Sequence, residues 1–324
     1  MGKLRVLCAA MAAAGLVPAA ATADLSLSGQ VTPAILFGSD VENPEIVDNT
    51  GTGSRVRLRG KHGLGSFTVF QRYEIQLQEN QSFGAVDGSD SFDVRYAEVG
   101  IKGAFGSFSL GKGDGASNAT GEISYQTSGN VLGTGHLPYF AVRGVLNRDN
   151  PETSVGYVFF DGFSRNSRVR YDTPSFGGLK LSASLTNGER SEFAARFKRG
   201  IGPGKLVALA GFANTETGSG DRTMIGIGYK FGFGLSASYG FSSETNATGP
   251  DTESFLASVN YQFGKLNVGF DFGESGLDGE NEIVQFGAEY KATKQWDIYG
   301  GVSDFDNSDG SSLSAAYAGF RYKY

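Results

Sequence analysis

Residues 54–61 read Ser-Arg-Val-Arg-Leu-Arg-Gly-Lys. In an extended strand successive side chains point to opposite faces, so the cations at the odd positions share one face while Val56 and Leu58 share the other. The cationic face carries Arg55, Arg57, Arg59 and Lys61. Four cations on one face require water, whereas the opposite face is apolar.

The same alternation recurs along most of the chain and predicts sixteen strands, from residues 25–37 to residues 312–324. One face of nearly every strand is apolar and rich in aromatic residues, and the other is polar. This pattern predicts an all-β fold, a closed sixteen-stranded antiparallel barrel with lipid outside and water inside. Pro33 removes one ladder donor from the first strand. In the fourth strand, residues 92–102, the alternation is ambiguous around residues 96–99. The sequence therefore does not determine which side chains of this strand point into the barrel.

Residues 1–23 have the features of a secretory signal peptide. Lys3 and Arg5 precede an apolar stretch, which ends at the small residues Ala21-Thr22-Ala23. We therefore expect a mature chain of residues 24–324 that forms one barrel domain. The single cysteine, Cys8, lies inside the signal, so the mature chain is expected to have neither disulfide nor cysteine metal ligand.

Composition and charge exclude several classes of protein. The 49 glycines, 25 phenylalanines and 14 tyrosines, against three methionines, favour strands and turns over helices. Removing the two basic residues of the signal leaves 26 basic against 34 acidic residues, a net charge of −8 (26 − 34). Such an acidic chain is not expected to bind nucleic acid.

The connections between predicted strands alternate in length. Short links such as residues 63–65 and 232–234 alternate with longer polar ones such as residues 79–91 and 242–252. Barrels of the bacterial outer membrane have short periplasmic turns and long external loops. We therefore expect the N-terminus in the periplasm and the barrel in the outer membrane, in contact with its lipids and lipopolysaccharide.

Residues 114–166 interrupt the alternation and are rich in Gly, Asn, Ser and Thr. A segment of this length without regular structure is unusual inside a compact domain and is normally functional. We interpret it as a functional loop.

Three internal stretches and the C-terminus resemble the general porins of Gram-negative bacteria. These are residues 54–58, residues 95–112 (RYAEVGIKGAFGSFSLGK), residues 166–179 (NSRVRYDTPSFGGL) and the alternating aromatic end that finishes at Tyr324. The resemblance implies a homotrimer of sixteen-stranded barrels, with contacts around the first five strands and the last. It also implies a third external loop folded into the lumen, and residues 114–166 stand at that position. They lack the acidic Pro-Glu-Phe-Gly-Gly motif that is usual in this loop.

The expected function is passive diffusion of small hydrophilic solutes and ions through a charged constriction. A water-filled lumen removes the dehydration cost of crossing lipid, and the constriction limits solute size. We expect a basic wall on the barrel and acids on the inward loop, with ion pairs that merely brace the loop as the alternative for some arginines. The predicted wall residues are Arg55, Arg57, Arg59, Arg72, Arg168 and Arg170, and the predicted loop acids are Asp114, Glu122, Asp149, Glu152 and Asp161.

Nothing in the sequence favours catalysis or a cofactor. The chain has two histidines, His62 and His136, and neither has a second histidine at metal-ligand spacing. The acids Asp304, Asp306 and Asp309 fail the EF-hand pattern, which leaves only weak divalent-cation binding at acidic external loops.

Two rival functions stay open at this point. One is a substrate-specific channel whose long loop carries a binding site, and the other is an adhesin or surface scaffold whose lumen is plugged by residues 114–166. The sign of ion selectivity is also open, because the predicted wall is basic while the chain is acidic overall.

Overall fold

The computed structural model describes residues 24–38, 43–49, 53–78, 91–121, 123, 162–163, 165–186, 190–215, 220–245, 251–276, 281–306, 310 and 312–324. In this part of the chain no helix is long and apolar enough to cross a membrane. The strand segments are β1 (Asp24–Val31), β2 (Pro33–Gly38), β3 (Glu45–Asp48), β4 (Arg55–Leu64), β5 (Phe67–Gln78), β6 (Ser91–Gly103), β7 (Gly106–Asp114), β8 (Arg165–Asp172), β9 (Leu179–Thr186), β10 (Arg190–Ile201), β11 (Gly204–Thr215), β12 (Arg222–Lys230), β13 (Leu235–Glu244), β14 (Thr252–Phe263), β15 (Leu266–Gly276), β16 (Asn281–Lys291), β17 (Trp296–Asp306) and β18 (Ser312–Lys323).

These segments form one closed antiparallel barrel. From β4 to β18 each segment pairs with the next, and β18 then pairs with both β1 and β2. The closing ladder keeps one register, since Gln30 faces Lys323 and Ala34 faces Gly319. β1 and β2 are therefore one strand, interrupted where Pro33 offers no backbone donor.

The second barrel strand is likewise recorded as two pieces. β3 pairs with β2 and β4 pairs with β1, so both lie beside the first strand. Eighteen segments thus make sixteen strands (18 − 2), which confirms the predicted number. Between the two pieces, the Asp48 carboxylate accepts hydrogen bonds from the Ser54 N–H (3.1 Å) and from the Ser54 hydroxyl. Asp48 thereby ties the end of β3 to the start of β4.

The short connections lie at one end of the barrel. Gly65 and Ser66 join β4 to β5, and Gly264 and Lys265 join β14 to β15. Gly65 and Gly264 both have a positive φ, near 60°, which a residue with a side chain adopts at a cost. The long connections lie at the other end, as the sequence predicts.

The two faces of the barrel wall are inverted relative to a soluble β protein. Large apolar side chains are exposed on the outside, with Leu27 68%, Leu110 59% and Phe263 72% exposed. The polar Ser258 and Asn260 are buried on the opposite face. An apolar exterior and a polar interior match a barrel that spans a membrane.

A β-bulge in β6 explains the ambiguous alternation of this strand. Glu74 of β5 faces Tyr96, and the next residue, Ile75, faces Val94. Arg95 is therefore an extra residue without a partner in the ladder, and the bulge turns its side chain towards the interior. Asp93, Arg95 and Tyr96 can all contribute to the inner face for this reason.

We predict that a charge on the outer face destabilises the barrel. Ile225 on β12 is 48% exposed on that face, and an arginine in its place would stand in hydrocarbon. Ile225→Arg should lower the free energy of unfolding by about 2–4 kcal/mol in a lipid bilayer. Urea unfolding in lipid vesicles measures this, with Ile225→Leu as the control. Equal stability of the two variants would contradict the assigned facing.

Candidate constriction site

Four arginines converge on one buried carboxylate. Glu74 on β5 is fully buried and forms ion pairs with Arg55 (3.2 Å), Arg57 (2.7 Å), Arg72 (2.9 Å) and Arg95 (2.9 Å). The strand register brings them together, because Arg57 lies directly opposite Glu74 and Arg95 occupies the bulge. We call these five residues the arginine cluster, which carries four positive charges and one negative charge.

The arginine cluster presents its positive side to the lumen. A buried carboxylate requires charged partners, and Glu74 receives four. The side chains of Arg57 and Arg72 remain 24% and 26% exposed. Arg59 lies opposite Arg72 in the ladder and is exposed, without an ion pair among the described residues. The inner wall therefore has a surplus of positive charge at β4, β5 and β6.

A second set of contacts links this wall to the end of β7. The Arg72 guanidinium lies 3.3 Å from the centre of the Tyr96 ring. The Tyr96 hydroxyl donates to the Asp114 carboxylate (2.5 Å), which also forms an ion pair with Arg165 (3.3 Å). Asp114, the first predicted loop acid, therefore contacts the basic wall directly.

Arg168 and Arg170 of β8 hold the backbone where the long loop begins. Arg168 forms an ion pair with Glu98 (2.5 Å) and donates to the Asp114 carbonyl (2.9 Å). Arg170 donates to the Gly115 carbonyl (2.8 Å) and forms an ion pair with Asp172 (2.9 Å). Both arginines thus hold the start of the loop through hydrogen bonds to carbonyl groups, while their ion pairs join residues of the barrel strands.

The loop start, which we define as residues 115–121 and 123, then crosses the inner wall. Arg196 of β10 donates to the carbonyls of Ala116 (2.8 Å) and Asn118 (2.6 Å). Glu192 accepts hydrogen bonds from the backbone N–H (3.1 Å) and the hydroxyl (2.5 Å) of Ser117. Glu192 and Arg196 thus fasten successive residues of the loop start to one strand.

Glycines allow the loop start to lie close to the wall. A Cβ on Gly211 would stand 2.0 Å from the Thr120 hydroxyl oxygen, and one on Gly226 would stand 3.0 Å from the Thr120 carbonyl oxygen. Farther on, Ser238 of β13 donates to the carbonyl of Ile123 (3.1 Å). The contacts of the loop start therefore extend from β8 to β13.

The described end of the loop returns to the same wall. Phe163 packs against Ala213 and Met224, and the guanidinium groups of Arg190 and Arg222 lie 4.8 and 5.1 Å from its ring centre. Arg222 also donates to the carbonyl of Gly162 (3.2 Å). Both described ends of the loop thus rest on the inner faces of neighbouring strands.

The predicted wall residues share the inner face of β4, β5 and β8. Of the predicted loop acids, Asp114 is described, whereas Glu122, Asp149, Glu152 and Asp161 lie outside the described residues. That those four acids face the wall stays a prediction, and so does the role of each arginine in the constriction.

Sequence reasoning missed several residues of this network, among them Glu74, Arg95, Arg165, Glu192 and Arg196. Glu74 and Arg196 already stood on predicted polar faces, so the alternation could have found them. Arg95 was hidden by the bulge. Arg165 and Glu192 lay just outside the predicted strands, which began at residues 167 and 193, whereas β8 begins at Arg165 and β10 at Arg190.

A model of the Gram-negative porin family matches residues 8–310. The chain belongs to this family. It is therefore a porin of the outer membrane, a channel-forming barrel, as its inverted faces and polar interior already indicate.

Relatives of this porin agree with the fold. Outer membrane porin protein 32 of Delftia acidovorans is 25% identical over an alignment of 293 residues, and the match covers 82% of this chain and 79% of that one. The solved anion-selective porin from Comamonas acidovorans superposes with a TM-score of 0.67 at 15% identity, covering 93% of this chain and all of that one. OmpT of Vibrio cholerae, in its trimer form, gives a TM-score of 0.64 at 17% identity, with 93% and 99% covered.

We predict that Glu192 holds the loop start in place. Glu192→Ala removes the acceptor of two hydrogen bonds and leaves the Ser117 N–H and hydroxyl without a partner, at a cost of about 1–3 kcal/mol. The loop start should then detach, and single-channel recordings should show larger fluctuations of the open-channel current.

Two further variants test the same contact. Glu192→Gln keeps an acceptor oxygen and should fluctuate less than Glu192→Ala. A Cβ on Gly115 would stand 1.9 Å from Glu192 Oε1, so Gly115→Ala should reproduce the effect of Glu192→Ala. If the open-channel current of Glu192→Ala fluctuates no more than that of the original porin, the loop is held by other contacts.

Proposed function

We propose that this porin is a passive diffusion channel that prefers anions and has a constriction between the arginine cluster and the long loop. The observation that carries the proposal is the convergence of four guanidinium groups on the single Glu74 carboxylate. This local surplus of three positive charges (4 − 1) attracts anions and repels cations. The name of one solved neighbour, an anion-selective porin, points the same way.

The mechanism requires no chemistry and no cofactor. Solutes cross in water, so they avoid the cost of dehydration in lipid. Fixed charges act strongly where the lumen is narrow, because salt screens an interaction only beyond about 8–10 Å. The fold of a channel-forming family supports the proposal that this chain is not an enzyme.

We further propose that the functional unit is a homotrimer. His62 is a polar residue that lies half-buried on the outer face of β4, opposite Val69. Gln71 stands on the same outer face, opposite Gly60. Polar atoms are costly when they face lipid, so a neighbouring subunit is the better cover for this part of the barrel. The solved Vibrio cholerae OmpT is described in a trimer form.

Outer-membrane lipids and lipopolysaccharide surround the barrel in this proposal. Asp304 and Asp306 lie exposed at the external end of β17, and Asp304 accepts a hydrogen bond from Ser314 (2.5 Å). Asp309 lies outside the described residues. Weak binding of divalent cations at such external acids stays a prediction.

We predict that neutralising Arg55, Arg57 and Arg59 together shifts the ion preference towards cations. At about 8 Å each charge contributes about 0.5 kcal/mol to an ion in the lumen, even at the dielectric constant of water. Losing three such charges removes about 1.5 kcal/mol of attraction for an anion and the same repulsion for a cation, so the triple Arg→Gln variant should lower the anion-to-cation permeability ratio by at least about tenfold at low ionic strength. Reversal potentials under a salt gradient measure this ratio.

Two controls accompany this measurement. Lys294→Gln removes an exposed cation from a short turn and should leave the ratio nearly unchanged. Arg59→Gln alone should give part of the shift without disturbing the ion pairs of Glu74. An unchanged reversal potential in the triple variant would exclude these arginines from the selective part of the pore.

We predict that the purified porin in detergent has the mass of three chains. Light scattering coupled to size-exclusion chromatography, corrected for bound detergent, measures the protein mass. A stable monomer that still conducts would refute the trimer while leaving the diffusion channel intact.

A further inference from the structure

The lysines of the mature chain gather at one end of the barrel. Of the eleven lysines after residue 23, only Lys112 lies away from the end with the short turns. That end is the periplasmic one in outer-membrane barrels. Eight of the others occupy inward-facing strand positions: Lys61, Lys102, Lys180, Lys198, Lys205, Lys230, Lys291 and Lys323.

Around much of this rim a lysine has an acid beside it. In the register, Lys61 faces Asp24 and Lys291 faces Asp297. Ion pairs join Lys180 to Asp172 (3.2 Å) and Lys323 to Asp297 (2.7 Å). Each of these four lysines therefore has an acid close by, although Asp297 is shared with Arg321 and Asp172 with Arg170.

Lys102 of β6 is a single exception, because it faces Thr68 and Ser107, whereas three consecutive strands each carry a lysine without an acid beside it. Lys198 of β10, Lys205 of β11 and Lys230 of β12 form no ion pair among the described residues, and we call them the lysine sector. Lys198 and Lys205 are exposed, while Lys230 donates to the side-chain oxygen of Gln262 (3.0 Å).

The lysine sector also contains a direct juxtaposition of like charges. Lys205 lies directly opposite Lys230 in the ladder, so their Cβ atoms stand about 4.5–5.5 Å apart on one face. Such a pair destabilises a sheet by up to about 1 kcal/mol. Both side chains reach the water of the lumen, where an anion can lie between them.

The position of the lysine sector connects it to the permeation path. Lys198 stands two residues beyond Arg196 on the same face of β10, a separation of about 7 Å. Arg196 holds the loop start, so the sector lies between the loop and the periplasmic opening of the same wall. It is distinct from the arginine cluster, which lies on β4, β5 and β6.

We propose that the lysine sector is a binding site for anions with two or more negative charges at the periplasmic mouth of the pore. Three neighbouring ammonium groups attract a divalent anion twice as strongly as a monovalent one. Lysines act as mobile point charges, so the site selects for charge rather than for one molecular shape. This inference rests on the proposed function in one respect, namely that the lumen is open to solutes.

Block of chloride current by sulfate tests the proposal. Sulfate is added to one side of a planar bilayer, and the concentration that halves the chloride current is measured. All variants carry Lys294→Cys in a short turn, so a thiol-reactive polymer too large to enter the pore identifies the periplasmic side. Sulfate should block at lower concentration from the periplasmic side than from the external side.

Substitutions in the lysine sector locate the effect. In Lys205→Gln/Lys230→Gln the half-blocking sulfate concentration on the periplasmic side should rise by about fivefold. Lys61→Gln, at the same end but facing Asp24, is the matched control and should change it little. Block that is equal from both sides, or unchanged in the double variant, would overturn the proposal.

A second measurement separates this inference from the proposed function. Equilibrium dialysis of radiolabelled sulfate against the detergent-solubilised porin at low salt does not depend on conduction. The barrel could conduct no current and yet bind sulfate, losing this binding in Lys205→Gln/Lys230→Gln but not in Lys61→Gln. This result would refute the diffusion channel and retain the site. Equal binding by both variants would refute the site, whether or not the barrel conducts.

Discussion

The closure of the hydrogen-bond ladder is the constraint on which the rest of this structure depends. A sheet edge exposed to hydrocarbon would leave unpaired backbone groups, at several kcal/mol for each. The chain avoids this because β18 pairs with the first barrel strand, and Tyr324 exchanges two backbone hydrogen bonds with Gly29 (2.9 and 3.1 Å). Even Pro33, which cannot donate, does not change the register of that closing pair.

Closure divides the side chains into two sets with different solvents. Most outward positions between the strand ends face lipid or another subunit and are apolar, so they leave little room for specificity. Recognition is therefore confined to the inward positions, where the charged side chains are distributed unevenly around the wall. Glu74 organises one side of it, because its single carboxylate holds four guanidinium groups that would otherwise repel one another.

The net charge of the chain is a poor guide to the charge of the pore. The chain is acidic, with a net charge of −6, yet exposed acids such as Glu282 and Asp306 stand on the outer face at the strand ends away from the short turns, where Glu282 lies opposite Asp306. Cations dominate much of the described inner wall, in the arginine cluster and in the lysine sector. An ion in the lumen responds to the nearest charges, because more distant ones are screened by salt.

The sequence by itself determined the barrel, its sixteen strands, the gathering of its short turns at one end and the inward facing of Arg55, Arg57, Arg59 and Arg72. These properties follow from the period of two and from the lengths of the turns, which are local features. Only the tertiary structure decided which arginines meet Glu74, how a bulge turns Arg95 inward, and how Glu192 and Arg196 fasten the loop start. Those contacts join residues far apart in the chain, and a register shift or a bulge of one residue changes them without altering the pattern of either strand.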